Sequence, residues 1–208
     1  MNAVGVATRR AVGLEYASVG LSLLEAGLAL WSGFAAGSVA LEAFGGDSVI
    51  EVLSALVVVG NLRVLVRRRD RDQGSEHRSH RVISGLFYAL AAYVVASAAV
   101  ALTRSVHPRE NVLGIVVCSA SALITPALAL AKAATSRELA ALGFSAVARL
   151  LRADAVETAL CGLLSLSTLG GVVLVATLGW WWADPVASSL VVYFALREGR
   201  EAWRCDPA

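Results

Sequence analysis

The chain has 208 residues, of which 57% are apolar and 16% charged, with a formal net charge of +2 and a mean hydropathy of +0.68. So much apolar surface excludes an ordinary soluble domain and points to a polytopic membrane protein. The small net charge gives no reason to expect a nucleic-acid partner.

Apolar stretches of the roughly 20 residues that a bilayer core requires occur at 13–34, 38–66, 82–103, 112–132, 150–179 and 184–203. The first is a full-length span with no A-x-A-like site behind a short apolar core, so it is not expected to be a cleaved signal peptide. It carries Glu15 near its start and Glu25 in SLLEAGLAL. Helix two carries Glu42, then Asp47 and Glu51 in FGGDSVIEVLS, four residues apart and therefore on one face. The basic connection RRRDRDQGSEHRSHR reads as a stop-transfer loop resting against anionic headgroups. Its His77 and His80 invite comparison with a cytoplasmic accessory metal site, although histidines in a polar, arginine-rich loop are usually just solvated. Helix three contains ALAAYVVASAAVA, where Ala92 and Ala96 form a small-residue step that permits close helix approach, inside the bundle or between two copies. Cys118 on helix four reads as a small packing residue. Helix five opens LRADAVETALCGLLSLS, aligning Asp154, Glu157 and Cys161 on one stripe, and GWWWADP turns the chain into helix six. No connection is long enough to be a folded soluble domain, and residues 1–208 are expected to form one all-α, six-transmembrane-helix bundle.

With this topology sixteen of the eighteen basic residues fall on one side, leaving Arg104 and Arg109 on the other. By the positive-inside rule both termini are cytoplasmic, and Trp31 and the tryptophans at 180–182 take the outer interface. The Ala- and Arg-rich composition points to a GC-rich bacterial genome and hence to the plasma (inner) membrane.

A charge at the bilayer centre costs about 2.5–3.5 kcal/mol on insertion scales, so the acids inside the spans must be paired, protonated or bound to an ion. The lysine and arginines are expected at helix ends, where they snorkel, which leaves no base at that depth. If the Asp47/Glu51 face meets the Glu157/Cys161 face, three carboxylates and a thiol converge. Such a set suits tetrahedral Zn²⁺, with oxygens at about 2.0–2.2 Å and sulfur near 2.3 Å. The plainer alternative is an acidic lining to a water-filled cavity. Asp154 is either a vestibule residue that attracts cations or an ion-pair partner of Arg152 or a neighbour. Glu25 is either an outer-shell carboxylate or proton carrier, or an acid hydrogen-bonded to a facing serine. Glu15 and Glu42, nearer helix ends, are expected at solvated or interfacial positions.

At these residues the chain resembles the cation diffusion facilitator family of divalent-metal/proton antiporters. GSVALEAFGGDSVIE at 37–51 is similar to the family's second helix, with a Ser-x-Ala-Leu opening and two acidic ligands four apart. RADAVETALC at 152–161 resembles its fifth helix, and GWWWADPVASSLVVYFALREGREAW its turn into helix six. The likeness extends over the transmembrane unit and implies a homodimer that expels a metal ion by alternating access in exchange for protons. Two departures qualify it. Glu157 and Cys161 stand where common zinc-transporting members have His and Asp, and no counterpart of the family's C-terminal cytoplasmic domain is expected, which would make this a short subgroup. Oxygen-rich coordination with one sulfur fits Zn²⁺ first, with Co²⁺, Cd²⁺ or Fe²⁺ compatible, and argues against Mg²⁺ or Ca²⁺. No prosthetic group is implied. The alternative is a non-transporting membrane metal sensor, or an interaction partner binding through the small-residue face of helix three. An enzyme is not expected: there is no phosphate-cradling Gly-rich loop, no G-x-S-x-G and no H-E-x-x-H.

Overall fold

The computed structural model describes residues 3–67, 73–109 and 111–204. Within them the chain forms six helices and no strand: α1 Ala3–Ala36, α2 Val39–Arg67, α3 Gln73–Thr103, α4 Val112–Ala141, α5 Ser145–Leu178 and α6 Ala183–Arg204. Four stretches, Gly5–Ala36, Ser84–Thr103, Val112–Ala141 and Val147–Leu178, are long and apolar enough to cross a membrane. The second half of α6 is heavily charged, with Arg197, Glu198, Arg200 and Glu201 in quick succession.

The helices overrun the expected spans at one end. At about 1.5 Å per residue the 34 residues of α5 extend roughly 51 Å, well beyond a hydrocarbon core about 30 Å thick. The connection expected between helices four and five shrinks to residues 142–144, turned by Gly143 at φ +89°. Its polar sequence stays helical because its apolar positions have somewhere to pack. Leu139 on α4 and Val147, Ala148 and Leu151 on α5 close a small core with Ala7 and Ala11 of α1. Likewise α3 begins at Gln73, so the segment holding His77 and His80 is helix rather than loop. The side chains of both histidines, like the whole of Cys205, lie outside the described residues.

The closest helix pairs are α1 with α2, α4 with α5 and α3 with α6, and α2 also packs on α3, α5 and α6. The main core accordingly gathers on α2, where Leu41 and Phe44 meet Val94, Cys118, Leu164 and Val191. Gly33 and Gly45 let α1 and α2 approach closely: a β-carbon at Gly33 would lie 2.8 Å from the Glu42 amide nitrogen, and one at Gly45 would lie 2.8 Å from Leu30 Cγ. Ala92 and Ala96 point outward on α3, so this stripe does not pack inside the bundle.

The end bearing the exposed Trp31, Trp180 and Trp182 is tied together by polar contacts. Buried Asp184 accepts hydrogen bonds from Ser38 Oγ and from the Ala40 amide, so α6 supplies the cap for the start of α2. Asn111 caps α4 by accepting from the Gly114 amide at 3.0 Å, and its side-chain nitrogen donates to the Ser32 carbonyl at 2.8 Å. At the other end Ser84 Oγ donates to the Gly199 carbonyl and holds α3 to α6.

Candidate metal centre

The register of α1 on α2 builds the site. The two helices run antiparallel, and the close approaches at Gly33–Glu42 and Leu30–Gly45 mean that each step forward on α2 is matched by a step back on α1. Continued by about a turn and a half, the same register brings Glu25 to Glu51. The register of α2 on α5 is marked by Ser54, whose hydroxyl donates to Glu157 Oε2 at 2.9 Å. One turn further outward along α5, Cys161 therefore comes opposite Glu51.

Glu25, Glu51 and Cys161 accordingly present one ligand atom each within 4.8 Å of one another, and all three are buried. The Cys161 thiol lies 3.8 Å from Glu25 Oε2. Glu25 Oε1 and Glu51 Oε2 are buried with no hydrogen-bond partner. A buried polar atom left unpaired costs about 1–3 kcal/mol, and more when charged, so two such oxygens on neighbouring buried carboxyl groups call for a ligand or protons.

Beside this trio lies a cavity of about 20 Å³, lined by Asp47 and Glu51 from α2, Glu157 and Cys161 from α5, and Glu198 from α6, with Phe87 and Phe194 among its apolar walls. A water needs roughly 10–15 Å³ by the same measure, so the space takes one water or one ion. No side chain lining it is cationic.

All four residues of the two i,i+4 pairs thus border one cavity, but they do not meet at one point. In this antiparallel register only Glu51 and Cys161 face each other directly. Glu157 sits one turn to one side, held by Ser54, and Asp47 one turn to the other; both are half-buried. In the tight group Glu25 stands where Asp47 and Glu157 were expected.

A second cluster overturns two expectations, that no base lies at the depth of the acids and that Glu15 is interfacial, and it gives Asp154 the ion-pair alternative, with a neighbour as partner. Lys132 of α4 is fully buried, and its ammonium contacts Asp154 directly, Thr158 Oγ1 at 3.1 Å and Glu15 Oε2 at 3.5 Å. A base therefore does lie at the depth of the acids. Glu15 is fully buried rather than interfacial, because α1 starts at least as early as Ala3 and carries Glu15 three turns into the helix. Asp154 pairs with Lys132 and not with Arg152, which is exposed. Lys132 is the single lysine among eighteen basic residues, set in the apolar run ALALAKAA, and that oddity was the available signal. The cluster ties α1, α4 and α5 together. Glu42, half-buried, accepts a hydrogen bond from Tyr93. Glu198 was hidden among the charges of LREGRE on α6, where nothing in the sequence separates the glutamate that turns inward from Glu201, which pairs with Arg197 at 3.1 Å.

Comparison of the chain with protein-family models and with curated proteins gives no match.

Proposed function

We propose that this protein is a six-span secondary transporter of the plasma membrane, with both termini cytoplasmic, that expels a divalent transition-metal cation, Zn²⁺ first among them, in exchange for protons. The observation that carries the reading is the convergence of Glu25, Glu51 and Cys161 from three helices, with two carboxylate oxygens unpartnered. A dication accounts for the thiol as well as the acids, because a sulfur ligand selects against hard ions such as Mg²⁺. It also supplies the positive charge that the cavity walls lack. The similarity of 37–51 and 152–161 to the cation diffusion facilitators supports the same function.

The chemistry follows from the ligands. Thiolate and carboxylate are the forms that bind metal, so loading Cys161, Glu51 and Glu25 releases protons, and reprotonation releases the metal. Asp47, Glu157 and Glu198, at the cavity margin, are placed to hand the ion to and from the buried trio. Protonation by the inward gradient on the outer side then drives net efflux. Homodimerisation belongs to the same reading, and the outward-facing Ala92 and Ala96 are one surface it could use.

Proteoliposomes loaded with a metal-sensitive dye test the proposal. Zn²⁺ movement is expected to accelerate when an opposing pH gradient is imposed and to fall at least tenfold with Asp47→Ala. Flux that ignores the gradient contradicts antiport, and flux that survives Glu51→Ala contradicts the site.

A further inference from the structure

The exposed side of α4 and α5 carries a second concavity, lined by none of the candidate metal ligands. It is a groove of about 520 Å³ whose wall is almost wholly apolar, running from Pro126 and Leu130 on α4 across to Val156 and Leu160 on α5, and it ends at Arg137 and Arg152. The two arginines stand on opposite helices at the same end of the groove, both are exposed, and neither forms an ion pair among the described residues. Leu130 is 73% and Val156 53% exposed, so the wall is open to whatever surrounds the bundle.

Length and charge together select the occupant. The stretch of α4 from Pro126 to Arg137 rises roughly 16 Å at about 1.5 Å per residue, the depth of one leaflet of a hydrocarbon core about 30 Å thick. The cationic end lies on the side where positive-inside bias puts the cytoplasmic headgroups. Planar arginine forks bind phosphate oxygens bidentately, and two guanidinium groups favour a headgroup with a net negative charge over choline or ethanolamine headgroups, whose phosphodiester is already balanced by an ammonium. A helix of a second copy would fill the apolar wall but leave both arginines without a counter-charge.

We propose that this groove binds one anionic phospholipid of the inner leaflet, with its phosphate between Arg137 and Arg152 and an acyl chain laid along the wall. Leu160 also lines the acid cavity, so the two concavities share one wall residue.

Native mass spectrometry of the full chain in mild detergent, with phosphatidylglycerol or phosphatidylcholine added at equal concentration, tests this. One phosphatidylglycerol per chain is expected to be retained, roughly 30-fold more strongly than phosphatidylcholine, from about fivefold per arginine. Arg137→Gln/Arg152→Gln should reduce retention to the phosphatidylcholine level without moving the melting temperature in lipid-free detergent. Ala159→Phe should lower it by filling the groove with both arginines in place, whereas Arg9→Gln/Arg10→Gln should not change it. Equal retention of the two lipids, or unchanged retention by the Arg137/Arg152 double variant, overturns the proposal. So does near-complete disulfide linkage of Leu130→Cys chains in phosphatidylglycerol membranes, which would put a second copy in the groove.

Discussion

Glu51→Gln is expected to weaken equilibrium Zn²⁺ binding by more than the roughly 10–100-fold that loss of an outer partner costs a metal site. Glu51 is the hinge of the arrangement: it faces both Glu25 and Cys161, it lines the cavity, and one of its oxygens is buried without a partner. The amide keeps the shape, so the loss is chemical rather than steric, replacing an anionic oxygen by a neutral one. Asp47→Asn, at the half-buried margin, should cost less in affinity than Glu51→Gln, because Asp47 stands outside the 4.8 Å group. Calorimetric or competition titration in detergent ranks the two. An equal loss for both would mean that Asp47 and Glu51 act as joint ligands, and no loss for either would remove metal from the site.

Lys132→Met is expected to destabilise the bundle by about 3–5 kcal/mol, because it leaves the buried Glu15 and Asp154 carboxylates without their cation. The same physics predicts rescue. Replacing all three together, Glu15→Met, Lys132→Met and Asp154→Leu, removes the uncompensated charge and should recover most of the loss, since a buried ion cluster as a whole often contributes little net stability over apolar packing. Lys132→Arg is not expected to substitute, because a planar five-donor group does not fit a pocket shaped around a compact ammonium. Thermal unfolding in detergent reads all three. A melting curve for Lys132→Met that overlays the wild type would mean that Lys132 does not neutralise these acids.

The helices were legible because each of the six apolar runs is matched by a helix, and four of these are long and apolar enough to cross a membrane. Their ends on one side of the bundle were not. TSRELAALGFSAVARLLR reads as a polar connection, yet its periodic apolar positions, Leu139, Val147, Ala148 and Leu151, find partners on α1 and keep both helices going. The same division runs through the site. Asp47 with Glu51 and Glu157 with Cys161 could be seen as pairs because i,i+4 spacing is a property of one helix. Glu25 could not be placed, since its neighbours come from the register of α1 on α2, and that depends on close approach at Gly33 and Gly45. Helical spacing also says nothing about which of two antiparallel pairs will face each other, and here a one-turn offset separates Asp47 and Glu157 from the tight group. Lys132 was misplaced for a different reason. Its position near the end of an apolar run suggested an interfacial residue, but α4 continues beyond it to Ala141 and carries it inside the bundle.

Co²⁺ titration of the purified protein, followed by optical absorption, bears most directly on whether a thiolate and buried acids from three helices hold one divalent ion. A thiolate-to-cobalt charge-transfer band should grow to saturation at one equivalent, disappear in Cys161→Ser, persist in Cys118→Ser and be displaced by Zn²⁺. A spectrum without that band, or one that Cys161→Ser leaves intact, would contradict the account.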